Sequence, residues 1–148
     1  MARIHFRLDS KLAPGAVLDA LTDFGPRRAH VWPNIDDEHF KLHGEGPGWA
    51  EVTEGSSVAG GVWEREKYTW DATSGSVAVE TIDSNTWGPG SRWDYRLSPT
   101  AQGGTAIDVT VERHGKGLKG KLIELGLVVA GTGMLRSQME QALARSAG

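Results

Sequence analysis

The stretch best equipped for chemistry is Val62-Trp-Glu-Arg-Glu-Lys-Tyr-Thr-Trp70. Read as a strand, it alternates with period two. Val62, Glu64, Glu66, Tyr68 and Trp70 share one face; Trp63, Arg65, Lys67 and Thr69 share the other. The first face ends in large aromatics and is the better candidate for the interior, where it would carry two carboxyls. Carboxyls are seldom buried without a partner. Arg113 can supply one, because Ile107, Val109, Val111 and Arg113 lie on a face that must point inward. A contact of Glu64 or Glu66 with Arg113 inside a cavity is therefore expected. Reversing the strand's faces would instead leave solvated cross-strand pairs with Arg65 and Lys67. A buried carboxyl has a raised pKa and suits proton transfer, so Glu64, Glu66 and Arg113 are the candidate catalytic residues. The same groups can also do no more than orient a ligand's hydroxyl or carbonyl, the commoner role of a few polar groups in a pocket. The sequence leaves open whether the protein is an enzyme.

Other chemistries find less support. His39 and His43 share a strand face, but four strand residues span about 13 Å, too far for two ligands of one ion. No metal site and no cofactor are expected. Gly115-Lys-Gly-Leu-Lys-Gly-Lys121 fits Gly-x-x-x-x-Gly-Lys, yet Leu122 stands where a phosphate loop needs Ser or Thr. Lys116, Lys119 and Lys121, with Arg113 and His114, are either a solvated basic turn or a hold for an anionic ligand group at a helix N-terminus. The absence of cysteine excludes disulfides, thiol catalysis and cysteine-ligated metals.

Around the carboxyls the aromatics gather. The expected wall of a ligand cavity is Tyr68, Trp70, Trp93 and Tyr95 with Val109 and Val111 from the strands, and Leu122, Leu125 and Val129 from a following helix. Six tryptophans against three phenylalanines is an unusual balance, and twenty glycines imply many turns or close backbone approaches. A net charge of -3 gives no reason to expect nucleic acid or an anionic membrane as partner. The longest uncharged apolar run, Leu125 to Leu135, is too short to span a bilayer. The opening Met-Ala-Arg-Ile-His-Phe-Arg is too polar for a secretory signal, and a cytoplasmic location is the default.

The elements that must position these residues follow from periodicity and turn signals. Ile4, Phe6 and Leu8 alternate with Arg3, His5 and Arg7 in a first half-buried strand. Pro14 opens a short helix and Gly25-Pro26 ends it; a second covers Arg27–Val31 and stops at Trp32-Pro33. Six strands follow, over His39–His43, Trp49–Glu54, Val62–Trp70, Val77–Ser84, Arg92–Leu97 and Ile107–Arg113. A long helix from about Gly117 to Ala147 closes the chain. Its seam is read as Leu118, Leu122, Leu125, Val129, Thr132, Met139 and Leu143. Gly126, Gly131 and Gly133 either kink this helix or leave room for a ligand or another backbone. Its segment Leu125–Leu135 is apolar nearly all round, which suits a homodimer or partner surface.

This order resembles the START-like or SRPBCC superfamily. The residues that carry the resemblance are the Ile4–Leu8 strand followed by Ala13-Pro14-Gly15-Ala16-Val17, the Leu21-Thr22-Asp23-Phe24 helix end, and the Trp32-Pro33-Asn34 stop. It covers essentially the whole chain, 1–148, as one domain. It implies an α+β helix-grip fold in which a seven-stranded antiparallel sheet curves around the C-terminal helix and encloses an apolar cavity. Most members bind hydrophobic small molecules, lipid or polyketide-like. A minority are polyketide cyclase/aromatase- or dehydratase-type enzymes, and none of their catalytic motifs is matched by this chain.

Overall fold

A computed structural model describes residues 1–147; Gly148, the last residue of the expected domain, lies outside the described residues. Seven antiparallel strands form one sheet in the order β1-β7-β6-β5-β4-β3-β2. They are β1 (Ala2–Ser10), β2 (Lys41–Gly46), β3 (Trp49–Ser56), β4 (Val62–Asp71), β5 (Ser76–Ser84), β6 (Arg92–Pro99) and β7 (Thr105–Arg113). Short α1 (Pro14–Thr22) and α2 (Arg28–Val31) follow β1, and α3 (Gly117–Ser146) ends the chain. The α+β helix grip expected from the sequence is the observed architecture. The boundaries differ mainly at β2, which begins beyond His39 and continues through Gly44 to Gly46. His39 belongs instead to a 3-10 turn, where the Asp36 carboxylate accepts from its backbone N–H at 3.0 Å.

Alternation places the core. Ala2, Ile4, Phe6 and Leu8 of β1 are buried, and so are Thr105, Ile107, Val109, Val111 and Arg113 of β7. The outer faces of the same strands pair in solvent, as in His5 with Asp108 at 2.8 Å. Burying one face of each strand fixes the register, because a one-residue slip would expose the whole set. In β4 the buried set is Glu64, Glu66 and Tyr68, so the carboxyl-bearing face is the inward one. A β-bulge between Arg65 and Glu66 against β5 falls in the middle of that set and shifts which β5 residue each carboxyl meets.

The long helix packs by a different row from the expected seam. Gly120, Leu127, Gly131, Leu135, Met139, Ala142 and Leu143 are buried. Leu118, Leu122, Leu125 and Val129 are 78, 61, 61 and 82% exposed. The inward row runs Leu127, Gly131, Leu135, Met139, Leu143, every fourth residue. Such a row turns by about 40° per step around the axis, which is what a helix crossing a curved surface obliquely requires. Met139 and Leu143 of the expected seam therefore do face the core, while its first half faces solvent. The glycines do not break α3, which is continuous. Gly131 is where it crosses β1: a Cβ there would sit 2.8 Å from Ile4 Cδ1. Gly126 and Gly133 have open space around them. No helix among the described residues is long and apolar enough to cross a membrane.

Candidate functional site

Between the sheet and α3 lies a cavity of about 290 Å³. It falls at the small end of the range of ligand pockets. Leu127, Leu135 and Met139 of α3 form one wall; Val79, Trp87 and Trp93 form much of the other. The α2–β2 connection at Trp32–Ile35, Ser56 at the end of β3, Val58 of the β3–β4 loop and Met134 of α3 also line it. Across its floor runs a line of charged and phenolic groups, Arg28, Glu54, Glu64, Glu66, Tyr68, Tyr95 and Arg113.

Most of that line is locked. Arg113 Nη1 donates to Glu64 Oε2 at 2.9 Å, and the Thr81 hydroxyl donates to the same oxygen at 2.9 Å. The Arg113 guanidinium also lies 4.9 Å from the centre of the Trp87 ring and 5.3 Å from that of Trp93. The expected pairing of a β4 carboxyl with Arg113 is thus present, and Glu64 is the carboxyl that makes it.

A second lock was not foreseen. Arg28 of α2 is buried and its Nε pairs with Glu54 of β3. Arg28 Nη2 donates to the Tyr68 hydroxyl at 2.8 Å, and that hydroxyl donates to Glu54 Oε2 at 2.9 Å. Arg28 Nη1 holds the carbonyls of Leu21 and Asp23 at 3.1 and 3.0 Å, tying the end of α1 to the cavity. Burial works against the Arg28 charge, but Glu54 and Tyr68 beside it more than compensate and keep it protonated. The signal for Glu54 was available: Ala50, Val52 and Glu54 alternate on β3, and the small apolar pair marks the inward face. Arg28 carries no comparable mark, since a four-residue helix has too little periodicity to orient it.

Glu66 sits between the two locks. It is 6% exposed, lines the cavity, and makes no hydrogen bond to another described residue. Burial, reinforced by the negative charges of Glu64 and Glu54, pushes its pKa well above the ordinary carboxyl value. Tyr95 likewise lines the cavity without a hydrogen bond to another described residue, and burial followed by Glu66 and Glu54 raises its pKa. Its ring stacks on Trp93 with centroids 6.1 Å apart. The two arginines balance Glu54 and Glu64, so with Glu66 protonated the floor carries no net charge.

Of the expected wall, Tyr68, Trp93 and Tyr95 line the cavity. Val109 and Val111 are fully buried in the core on the same face of the sheet, not on the cavity surface. Trp70 stands at the far end of β4, its ring 6.2 Å from that of Phe24, away from the cavity. Leu122, Leu125 and Val129 are not cavity residues: the oblique packing of α3 turns them outward, and Ile123 and Leu127 take their place. Two lysines at the start of α3 are used structurally. Lys116 Nζ donates to the Ser84 carbonyl at 2.9 Å and Lys119 Nζ to that of Gly61 at 2.6 Å, tying the end of β5 and the β3–β4 loop to the helix.

The fold has counterparts among solved structures. The Zhui aromatase/cyclase from Streptomyces sp. R1128 superposes with a TM-score of 0.79 at 12% identity, over 99% of this chain and 93% of that one. A START superfamily protein from Mycobacterium smegmatis gives 0.72 at 10% identity, over 95 and 93%. Truncated norcoclaurine synthase from Thalictrum flavum gives 0.72 at 16% identity, over 97 and 91%. The fold is the START-like helix grip. At these identities the likeness speaks for the fold alone. No protein-family model matches the chain, and no curated protein sequence matches it.

Proposed function

We propose that the protein binds a hydrophobic small molecule, lipid or polyketide-like, in the cavity between its sheet and α3. One observation carries the reading: a largely apolar cavity of about 290 Å³ whose ionic groups are already paired with each other. A cavity built only for stability would be filled, since unfilled apolar space costs about 24 cal/mol per Å³. A ligand entering this one gains burial against Leu127, Leu135 and Trp93 and disturbs no ion pair. Two structural neighbours, an aromatase/cyclase and norcoclaurine synthase, are enzymes of small molecules, which is in keeping with a small-molecule cavity. A cytoplasmic location is part of the proposal. The test is native mass spectrometry of protein purified from its own host. A co-purifying hydrophobic molecule is expected; protein that arrives empty and binds no hydrophobic compound contradicts the reading.

The alternative is an enzyme of the cyclase/aromatase or dehydratase type, and Glu66 favours it. A buried carboxyl whose pKa is raised well above the ordinary value is suited to proton transfer. In this reading Glu66 moves the proton, and Glu64 and Arg113 hold its surroundings in place. Glu66→Gln separates the readings: turnover lost with binding retained marks the enzyme, and a protein without turnover in either form marks the carrier. The exposed row Leu118, Leu122, Leu125, Val129 adds a proposal about assembly. Its spacing of four, three and four is that of a two-helix seam, and a second copy of the chain is the partner we propose for it.

A further inference from the structure

The cavity floor offers more than a neutral surface. Among its carboxyl, guanidinium and phenol groups, Arg28, Glu54, Glu64, Tyr68 and Arg113 spend their hydrogen bonds on one another. Glu66 and Tyr95 spend none on any described residue, although Glu66 is more than nine-tenths buried. A buried polar side chain without a partner is costly unless water or a ligand completes it. Every buried side-chain N or O atom shielded from all contact with solvent has a partner among the described residues, so the Glu66 carboxyl opens onto the cavity space.

Resting on the reading of the cavity as a ligand site, we propose that it selects an uncharged, mainly apolar molecule bearing a carbonyl or similar accepting oxygen, held by the Glu66 carboxyl O–H with the Tyr95 hydroxyl as second donor. The surrounding charges explain the selection. Glu54 and Glu64 flank Glu66 on the inward face, Glu54 opposite Glu64 across the β3–β4 ladder. Their negative charges favour the protonated form of Glu66, which is the form that donates. They also repel an anionic ligand. The two arginines that would otherwise attract an anion are bound to these carboxylates. Tyr95 keeps its proton for the same reasons, burial and neighbouring carboxyls. A hydrocarbon of the same shape would fill the space and leave both donors unpaired, which a site built on buried hydrogen-bond donors penalises.

Three tricyclic probes that share one ring frame test this by calorimetric titration at pH 6.5: fluorene, 9-fluorenone and 9-fluorenecarboxylate. Fluorenone is expected to bind about tenfold tighter than fluorene, the equivalent of one buried hydrogen bond, with the carboxylate weaker than both. Glu66→Leu removes the tenfold preference. Glu66→Gln, whose amide still donates, keeps it, and Tyr95→Phe reduces it about threefold. Equal binding of fluorene and fluorenone by the native protein overturns the donor proposal while leaving the ligand cavity intact. Preference for the carboxylate, or an undiminished fluorenone preference in Glu66→Leu, overturns it too. Binding of none of the three defeats the ligand-site reading itself, and the donor proposal with it.

Discussion

Replacing Glu66 by glutamine should stabilise the protein, and only above a definable pH. The unfolded chain gives up this proton near the ordinary value of 4.5, while the native state holds it to a pH well above that. Between those two points the native state binds the extra proton, so stability falls as pH rises. Below pH 4.5 the stability is fully present. Above it, each pH unit removes about 1.4 kcal/mol until the native pKa is passed. The loss stops growing where the native carboxyl ionises, at a pH well above 4.5. Even one such unit is a sizeable share of the roughly 5–15 kcal/mol that holds a domain together. Glutamine has nearly the same shape and no such proton to hold. Urea unfolding of both proteins at pH 4, 5.5 and 7 reads the difference. Near-equal stability at pH 4 is expected, with an advantage for the variant that grows by about 1.4 kcal/mol per pH unit above 4.5 until the native carboxyl ionises. A difference that does not change with pH, or a variant less stable at pH 7, refutes the assignment of a buried neutral carboxyl.

The remaining predictions concern the locks and the helix. Arg113→Met strands Glu64 as an unpaired buried carboxylate and should cost about 3–5 kcal/mol; adding Glu64→Gln should recover most of it, seen in the same urea titrations. Gly131→Ala places a Cβ against Ile4 and Leu127 and should cost about 1–3 kcal/mol, relieved in part by Ile4→Val. Gly133→Ala meets open space and should gain up to about 1 kcal/mol from helix propensity, a contrast that thermal unfolding resolves. Val129→Glu should convert a dimer to a monomer in sedimentation velocity if the exposed row is a self-association seam; an unchanged sedimentation coefficient contradicts that assembly.

The architecture was legible because its signals are local and repeated. Alternation in Ile4–Leu8 and Ile107–Arg113 and the proline at the start of α1 agree with the observed elements. The inward face of β4 and the pairing of a carboxyl with Arg113 were legible for a related reason, since burial of one face leaves only two choices. What failed was the orientation of α3. Leu118, Leu122, Leu125 and Val129 form a better apolar seam than the row that is buried, because the buried row passes through Gly120 and Gly131. Glycine adds nothing to a hydrophobic stripe, yet here it marks the places where backbone meets backbone or β1. At Gly120 a Cβ would lie 2.3 Å from the Thr86 carbonyl oxygen. The Arg28 network was out of reach on other grounds. Its members lie on α2, β3 and β4, and only the closure of the sheet over α2 brings them together.

The central claim, an apolar ligand between sheet and helix, can be tested with the tryptophans as reporters. Trp32, Trp87 and Trp93 line the cavity, while Trp49, Trp63 and Trp70 do not. The six indole N–H signals of a 15N-labelled sample report on both groups at once. Titration with fluorene should shift those of Trp32, Trp87 and Trp93 and leave the other three in place. No shift at saturating fluorene, or shifts confined to Trp49, Trp63 and Trp70, would contradict the account.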